Sequence, residues 1–421
     1  MKITLITVGS RGDVQPYVAL GLGLKAAGFD VRVATHAVFG DWIQGHGLEF
    51  APVGGNPREM LETAVGRNWL DSGKNPFKLL RYFIDLAKPS LEESFRDSWE
   101  ACQGSDVIIS ALLALSVGYH IAEKLNVPHA AALLQPFNRT RAFPAVGVPQ
   151  WAWAGGIYNW LSHFATEKLL WVPFRGLVNE WRQESLGLPP LPLSGPLPIM
   201  MAQQHPILYG YSPALLPKPS DWESWTHVTG YWFLDESRDW VPPADLADFL
   251  VSGTKPLYIG FGSMTDQDPE TLLAIIVEAL EKTGQRAVLL SGWAGLHSSN
   301  LPDTIFPIAS VPHDWLFERV TAVIHHGGAG TTAAGLRAGV PSILVPYFAD
   351  QYFWGRYVAE AGVGPAPVPR NKLTAERLAV AIEQAVSNEA MQDRAAALGE
   401  RVYDEEGVET AVRLIQAWLN K

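Results

Sequence analysis

KITLITVGSRGDVQPYVALGLGLKAAGFDVRVATH, residues Lys2 to His36, reads as strand, helix, strand. Lys2 to Gly9 is a short run rich in β-branched residues that ends in glycine. From Val14 to Gly28 the apolar positions Val14, Tyr17, Val18, Leu20 and Leu24 recur at three- and four-residue steps, the spacing of one helix face. Pro16 suits a first helical turn and Gly28 a C-cap. Asp30 to His36 returns to strand character. Working outward, Leu48 to Gly54 reads as a third strand, and a helical stretch lies near Asn75 to Cys102. Asp106 to Leu113 and Val127 to Leu134 are continuous apolar runs, the pattern of strands buried on both faces. Strands alternating with helices predict a parallel sheet covered by helices on both sides.

The same alternation restarts at Lys255 to Ser263. Strands are predicted over Arg286 to Gly292, Phe306 to Pro312, Thr321 to Gly328 and Ser342 to Phe348. Helices are predicted from about Asp268 to Thr283, Gly330 to Ala338, Gln351 to Ala361, Thr374 to Val386 and Glu389 to Asn420. Between the two halves, Gln135 to Ser212 is rich in proline and tryptophan, with Trp151, Trp153, Trp160, Trp171 and Trp181. Leu216 to Leu246 shows little periodicity and many turn residues, and is read as a linker. The expected organisation is therefore an α/β chain of two doubly wound domains facing each other across a cleft. Residues 1–215 form the first, 216–246 the linker and 247–400 the second, with 401–421 a final helix returning to the first domain.

Composition narrows the function. The chain has 421 residues, 48% hydrophobic and 18% charged, which is ordinary globular usage. Its charge balance, 32 − 43 = −11, argues against a uniformly basic nucleic-acid-binding surface. Cys102 is the only cysteine, which excludes an internal disulfide framework and a cysteine-based metal cluster. No apolar run reaches the length of a membrane span, and the opening residues are too short a run for a secretory signal. A soluble cytoplasmic protein is expected.

In open α/β sheets ligands bind beyond the carboxyl ends of the strands, so the residues just after each strand carry the chemistry. The first such loop, Gly9 to Pro16, lacks the glycine spacing of a dinucleotide fingerprint. It offers Asp13, readable as a helix N-cap or as a carboxylate acting as general base. The second, VIHHGGAGTTAAG from Val323 to Gly335, ends a strand in His325 and His326 and opens a helix through Gly327, Gly328, Gly330, Thr331 and Thr332. Exposed N–H groups and the helix dipole make it a phosphate site. One of the two histidines is structural, because strand neighbours point to opposite faces. The third contains Asp350 and Gln351, whose acceptors and donors suit a sugar's vicinal hydroxyls, unless Asp350 is only a cap. Ser263, Trp293 and the backbone of Val311 follow strands and suit phosphate or base contacts. Asp266 and Asp268 form Asp-x-Asp, a pattern some sugar transferases use for a metal, but Pro269 after Asp268 favours a plain N-cap.

These pieces together resemble the GT-B-fold glycosyltransferases that use nucleotide-sugar donors. GSRGDVQP at Gly9 to Pro16, TGYWFLD at Thr229 to Asp235, HHGGAGTT, PYFADQYFWG and AGVGP at Ala361 to Pro365 are most similar to the sterol glucosyltransferase branch, with antibiotic glycosyltransferases nearby. Membrane-targeting extensions such as those of the fungal sterol enzymes are not expected. The resemblance implies an inverting transfer of a hexose, glucose first, from a UDP-sugar to a hydroxyl of an apolar acceptor such as a sterol, polyphenol or polyketide. It implies Asp13 as base and His325 on the β-phosphate. His326, Gly328, Gly330 and Thr331 then lie along the diphosphate, with Asp350 and Gln351 on the sugar and Ser263, Trp293 and Val311 on the uridine end. The acceptor is expected at the Trp- and Pro-rich stretch, on Gln135, Phe137, Trp151 and Trp153. Core filling and peripheral contact with a membrane are the other readings of those tryptophans. No metal or other cofactor is expected, since the helix N-terminus and His325 can stabilise the departing diphosphate. The alternatives are a GT-B-fold UDP-sugar epimerase or hydrolase, which needs no acceptor region, and a transferase of a deoxysugar such as rhamnose.

Overall fold

The computed structural model describes residues 1–55, 91–151, 153–237, 240–262, 264, 268–291, 301–348 and 350–420. The chain divides into two compact units. The first comprises Met1–Pro213, Pro217–Leu234 and Glu406–Lys421, the second Ala214–Leu216 and Asp235–Glu405.

The first unit is built on β1 (Lys2–Ile6), β2 (Asp30–His36), β3 (Glu49–Val53), β4 (Val107–Ser110), β5 (His129–Leu133), β6 (Ile207–Tyr209) and β7 (Thr226–Val228). They form one sheet in the order β3-β2-β1-β4-β5-β6-β7. Every neighbouring pair is parallel, Ile3 lying opposite Val31 on one side and Val107 on the other. The chain runs outward from β1 to β3, then crosses back to β4 on the other side of β1. The strand order thus reverses between β1 and β4, and at such a switch point the loops after the two strands diverge and leave a crevice.

Burial explains these elements. All residues of β4 and β5 are buried, which is why their runs are apolar without alternation. The Arg11–Ala26 helix buries Val14, Tyr17, Val18, Leu20 and Leu24 in a cluster with Ile3, Leu5, Val31 and Val33. The helix begins at Arg11, so Pro16 lies in its second turn and not its first, where it has no N–H to donate to the Gly12 carbonyl. Its end is a Schellman turn: Gly28 has φ 92° and donates to the Lys25 carbonyl at 3.0 Å, while Phe29 N–H reaches the Leu24 carbonyl at 3.1 Å.

The second unit carries β8 (Leu257–Gly260), β9 (Ala287–Leu290), β10 (Ile305–Ile308), β11 (Val323–His325) and β12 (Ser342–Leu344), all parallel, in the order β10-β9-β8-β11-β12. Here the order reverses between β8 and β11. Ile259, Phe261, Leu272, Ile276, Ile324 and Ile343 are at the centre of its core.

Three stretches differ from the sequence expectation. Residues 216–246 are not a linker throughout, since Pro217–Leu234 belongs to the first unit and contributes β7. A three-residue strand is too short to show a period. Two tryptophans of the stretch are core: Trp222 stacks on Tyr209 with ring centroids 4.8 Å apart, and the Trp232 indole donates to Thr229 Oγ1 at 2.9 Å. The Pro- and Trp-rich middle holds helices Gly155–Trp171 and Arg175–Glu184 and strand β6. The final helical stretch is two helices, Glu389–Tyr403 in the second unit and Gly407–Leu419 in the first. The latter packs on the Arg11–Ala26 helix so closely that a Cβ on Gly23 would stand 2.4 Å from Val408 Cγ1. Among the described residues no helix is long and apolar enough to cross a membrane.

Candidate active site

Asp13 follows β1, at the switch point of the first sheet. The expected N-cap role belongs instead to Ser10, and Asp13 is the third residue of the helix. Its Oδ2 accepts from Ser10 N–H at 2.8 Å and from Ser10 Oγ at 2.9 Å. The Thr7 hydroxyl donates to the Asp13 carbonyl at 2.7 Å and pins the first turn to the strand end. No hydrogen bond among the described residues engages Oδ1, and the residue is exposed. The capping bonds therefore fix the carboxylate while leaving one oxygen for a ligand. Desolvation by the dense protein around it raises the Asp13 pKa, and the Ser10 bonds act the other way. Because solvent reaches the side chain, screening keeps that rise short of what a sealed site would give.

The second loop follows β11, at the switch point of the other sheet. His325 closes the strand and is fully buried. Its Nδ1 accepts from Gly327 N–H at 3.1 Å. Burial holds its pKa well below the ordinary histidine value, with His326 and His313 adding to the effect, so the ring is neutral at pH 7. A neutral imidazole that accepts at Nδ1 carries its hydrogen on Nε2. That Nε2 is buried and has no hydrogen-bond partner among the described residues. His325 thus holds a donor in reserve, the arrangement that an incoming anion would satisfy.

His326 has its ring plane at 90° to that of His325, and burial pushes its pKa down to about 4. Gly328 is the N-cap of the Ala329–Arg337 helix, which has no side-chain cap and no acidic residue in its first turn. A Cβ on Gly328 would lie 2.4 Å from His326 Nε2, so only glycine lets backbone and ring approach this closely. Gly327 has φ 95°, and a Cβ there would stand 3.1 Å from the Gln351 carbonyl. Gly330 and Thr331 lie in the first turn; Thr332 turns inward, its hydroxyl donating to the Gly328 carbonyl at 2.9 Å. The result is an uncapped, positively polarised helix end beside a buried donor, a suitable cradle for phosphate oxygens.

Asp350 opens the Asp350–Glu360 helix after β12 and is half-buried. Gln351 is engaged within its own turn. It is 3% exposed, its Oε1 accepts from Tyr347 N–H at 2.7 Å and Phe348 N–H at 3.3 Å, and its Nε2 lies 3.4 Å from Met264 Sδ. The side chain holds the strand-to-helix turn and thereby places Asp350. Val311 sits beyond β10 with its side chain in the core. Asp268 caps the Pro269–Thr283 helix, its Oδ1 accepting from Thr271 N–H at 3.0 Å. Ser263, Trp293 and Asp266 lie outside the described residues.

On the first sheet, Gln135 and Phe137 follow β5, two strands along from β1. Phe137 N–H donates to Tyr209 Oη at 3.0 Å. The tryptophans of the middle segment divide. Trp171 is buried, and Trp181 stacks on Phe95 at 4.6 Å. Trp151 and Trp153 are surface groups, 48% and 83% exposed, stacked on each other at 5.6 Å with planes 7° apart. Core filling is therefore excluded for these two.

Two residues of the Asp13 site were not singled out in the sequence. Ser10 was legible, because Ser-x-x-Asp before an apolar run is a capping-box signature. His36 carried no local signal: it ends β2, and its Nε2 accepts from Gly9 N–H at 3.0 Å, a partner 27 residues away.

Comparison with known proteins agrees with this fold. The glycosyltransferase family 28 N-terminal domain matches residues 3–144, and the erythromycin biosynthesis protein CIII-like C-terminal domain matches residues 286–415. A sterol 3-beta-glucosyltransferase of Emericella nidulans is 41% identical over 99% of this chain and 30% of its own length. Its counterpart in Cryptococcus neoformans is 39% identical over 99% of this chain and 27% of its own length. The chain thus spans about 30% of the length of the curated relatives it matches. Among solved structures, the glycotransferase of kitacinnamycin superposes with a TM-score of 0.72 at 19% identity, covering 99% of this chain and 98% of that one. The calicheamicin glycosyltransferase gives 0.71 at 17% identity, covering 100% and 98%.

Proposed function

Because the chain belongs to the GT-B glycosyltransferases, with a family 28 N-terminal domain and an EryCIII-like C-terminal domain, we propose that it transfers glucose from UDP-glucose to a hydroxyl of a sterol-like apolar acceptor, with inversion. The observation that carries the reading is the 41% identity to a sterol 3-beta-glucosyltransferase across 99% of this chain. Chemistry at the two switch points supports it. Asp13 takes the proton of the acceptor hydroxyl through Oδ1. The acceptor oxygen attacks the anomeric carbon as the bond to the diphosphate oxygen breaks, and UDP departs with the electron pair. His325 Nε2–H and the first N–H groups of the Ala329–Arg337 helix receive the developing charge, which is where preorganised donors accelerate a reaction. Asp350 holds hydroxyls of the sugar. None of these roles calls on a metal ion.

Gln135 and Phe137, beyond the carboxyl end of β5, line the acceptor position. Trp151 and Trp153 offer stacked indoles at the surface, suited to an apolar molecule drawn from a membrane, because indoles settle at such interfaces. The test is incubation with UDP-glucose, with and without a sterol or a phenolic acceptor, read by mass spectrometry. A steryl glucoside with release of UDP is expected. Free sugar or an epimerised donor formed without acceptor would overturn the reading in favour of a hydrolase or epimerase.

A further inference from the structure

We propose that His36 is a positioning residue for Asp13: its Nε2 anchors the Gly9–Ser10 turn, and that turn supplies the donors that orient the carboxylate. The inference rests on the assignment of Asp13 as base.

The sheet itself shows what His36 replaces. β1 and β2 pair in parallel, with Ile6 opposite Ala34, and Thr7 N–H continues the ladder to the Ala34 carbonyl at 3.1 Å. The next ladder bond, two residues on, would join Gly9 N–H to the His36 carbonyl. Gly9 N–H instead meets the His36 ring at 3.0 Å. A side-chain acceptor reaches farther than a backbone carbonyl, so β1 can leave the sheet and turn without orphaning that N–H. The turn is sharp: Gly9 has φ 132°, and any Cβ there would lie 2.5 Å from Asp13 Oδ2.

Consecutive peptide N–H groups therefore divide their tasks. Gly9 N–H ties the turn to β2, and Ser10 N–H, with its hydroxyl, holds Asp13 Oδ2. A turn freed from β2 carries the carboxylate with it. The tautomer follows from the geometry. Nε2 accepts, so the ring hydrogen is on Nδ1, toward the backbone of Val53, Gly54 and Gly55, which favours it. No well-aligned bond to Nδ1 forms among the described residues, and the ring is buried. Beyond filling space, what His36 adds is the acceptor.

The experiment separates acceptor from filler. His36→Gln places an amide oxygen near the Nε2 position, and His36→Leu removes the acceptor. With UDP-glucose and a sterol acceptor, His36→Leu should lower kcat by roughly 10- to 100-fold, the loss expected when a reacting group is misplaced by about 1 Å or less. Its KM for UDP-glucose should stay within about twofold, because the donor loop is in the other unit and ground-state donor binding is untouched. His36→Gln should keep kcat within about threefold of the parent. In an Asp13→Asn background His36→Leu should add little further loss, since groups acting as a unit are non-additive.

Amide hydrogen exchange at Gly9 and Ser10 reads the same turn without any activity: faster in His36→Leu, unchanged in His36→Gln. Should His36→Leu lose its cooperative melt, His36→Phe, which keeps a ring and lacks the acceptor, takes its place. Equal loss in the Gln and Leu variants, or full additivity with Asp13→Asn, would overturn the proposal. An Asp13→Asn enzyme of normal rate would instead defeat the base assignment, and the exchange data would still decide whether His36 holds the turn.

Discussion

Replacing Asp13 by asparagine separates its two duties, because the structure assigns them to different oxygens. Both Ser10 donors converge on Oδ2, at 2.8 and 2.9 Å, and Oδ1 has no partner among the described residues. An asparagine carbonyl oxygen placed at Oδ2 keeps both bonds, and its NH₂ falls where Oδ1 stood. The helix start survives, less the charge. That loss costs about 0.3–1 kcal/mol at a helix N-terminus. Acting against it, the Asp13 pKa is raised in the folded chain by desolvation. A raised carboxyl pKa favours the folded state at low pH, a contribution that fades as pH climbs through the folded-state value, so the charged form is mildly costly at pH 7. The amide removes that cost. Tm should therefore change by no more than about 4 °C for a domain of this size. Catalysis should not survive. Removing a general base costs about 10²–10⁴-fold, or about 2.7–5.4 kcal/mol of barrier at 1.36 kcal/mol per decade. The assays are steryl glucoside formation, calorimetry with UDP and a thermal melt. Unchanged UDP binding, a melt within about 4 °C of the parent and at least a hundredfold loss of kcat are expected. Transfer within about threefold of the parent would refute the assignment, because an amide cannot take the proton. The acid limb of the rate profile should fall through a pKa above the ordinary aspartate value and vanish in the variant.

Asp350→Ala should weaken use of UDP-glucose by about one to two orders of magnitude, the worth of a buried charge-assisted bond to a sugar hydroxyl, and leave UDP affinity unchanged. An equal fall in both would place Asp350 on the nucleotide or the fold. Transfer should survive EDTA; a loss restored by Mg²⁺ or Mn²⁺ would mean that an ion, not the helix end and His325, carries the leaving charge. Gly23→Val should destabilise the first unit by about 1–3 kcal/mol, because a Cβ there would meet Val408 Cγ1 at 2.4 Å and Val412 Cγ2 at 3.2 Å. A melt unmoved by that change would refute the close packing of the Arg11–Ala26 and Gly407–Leu419 helices.

Much of this architecture is legible because its signals are local. Apolar runs such as Val107–Ser110, the helical spacing from Val14 to Leu24 and the glycines after His326 act within one strand, turn or loop. They determine two parallel-sheet units and identify the strand ends as the places for chemistry. The short strands Ile207–Tyr209 and Thr226–Val228 escape such reading, because three residues define no period and their stability comes from the neighbours they pair with. Tryptophan likewise carries no instruction about depth: Trp232 is core and Trp153 is surface only because of what the sheet brings beside each.

The site divides in the same way. The sequence alone determined that Asp13 lies where a loop turns into a helix and that His325 ends a strand before a glycine-rich turn. Tertiary structure decided that Gln351 braces the turn it belongs to, that His325 keeps a donor with no partner among the described residues, and that Asp13 is held through Gly9 by His36. The physical reason is reach. A capping bond spans three residues and is written in their spacing, whereas a bond across 27 residues exists only after β1 and β2 have paired in register.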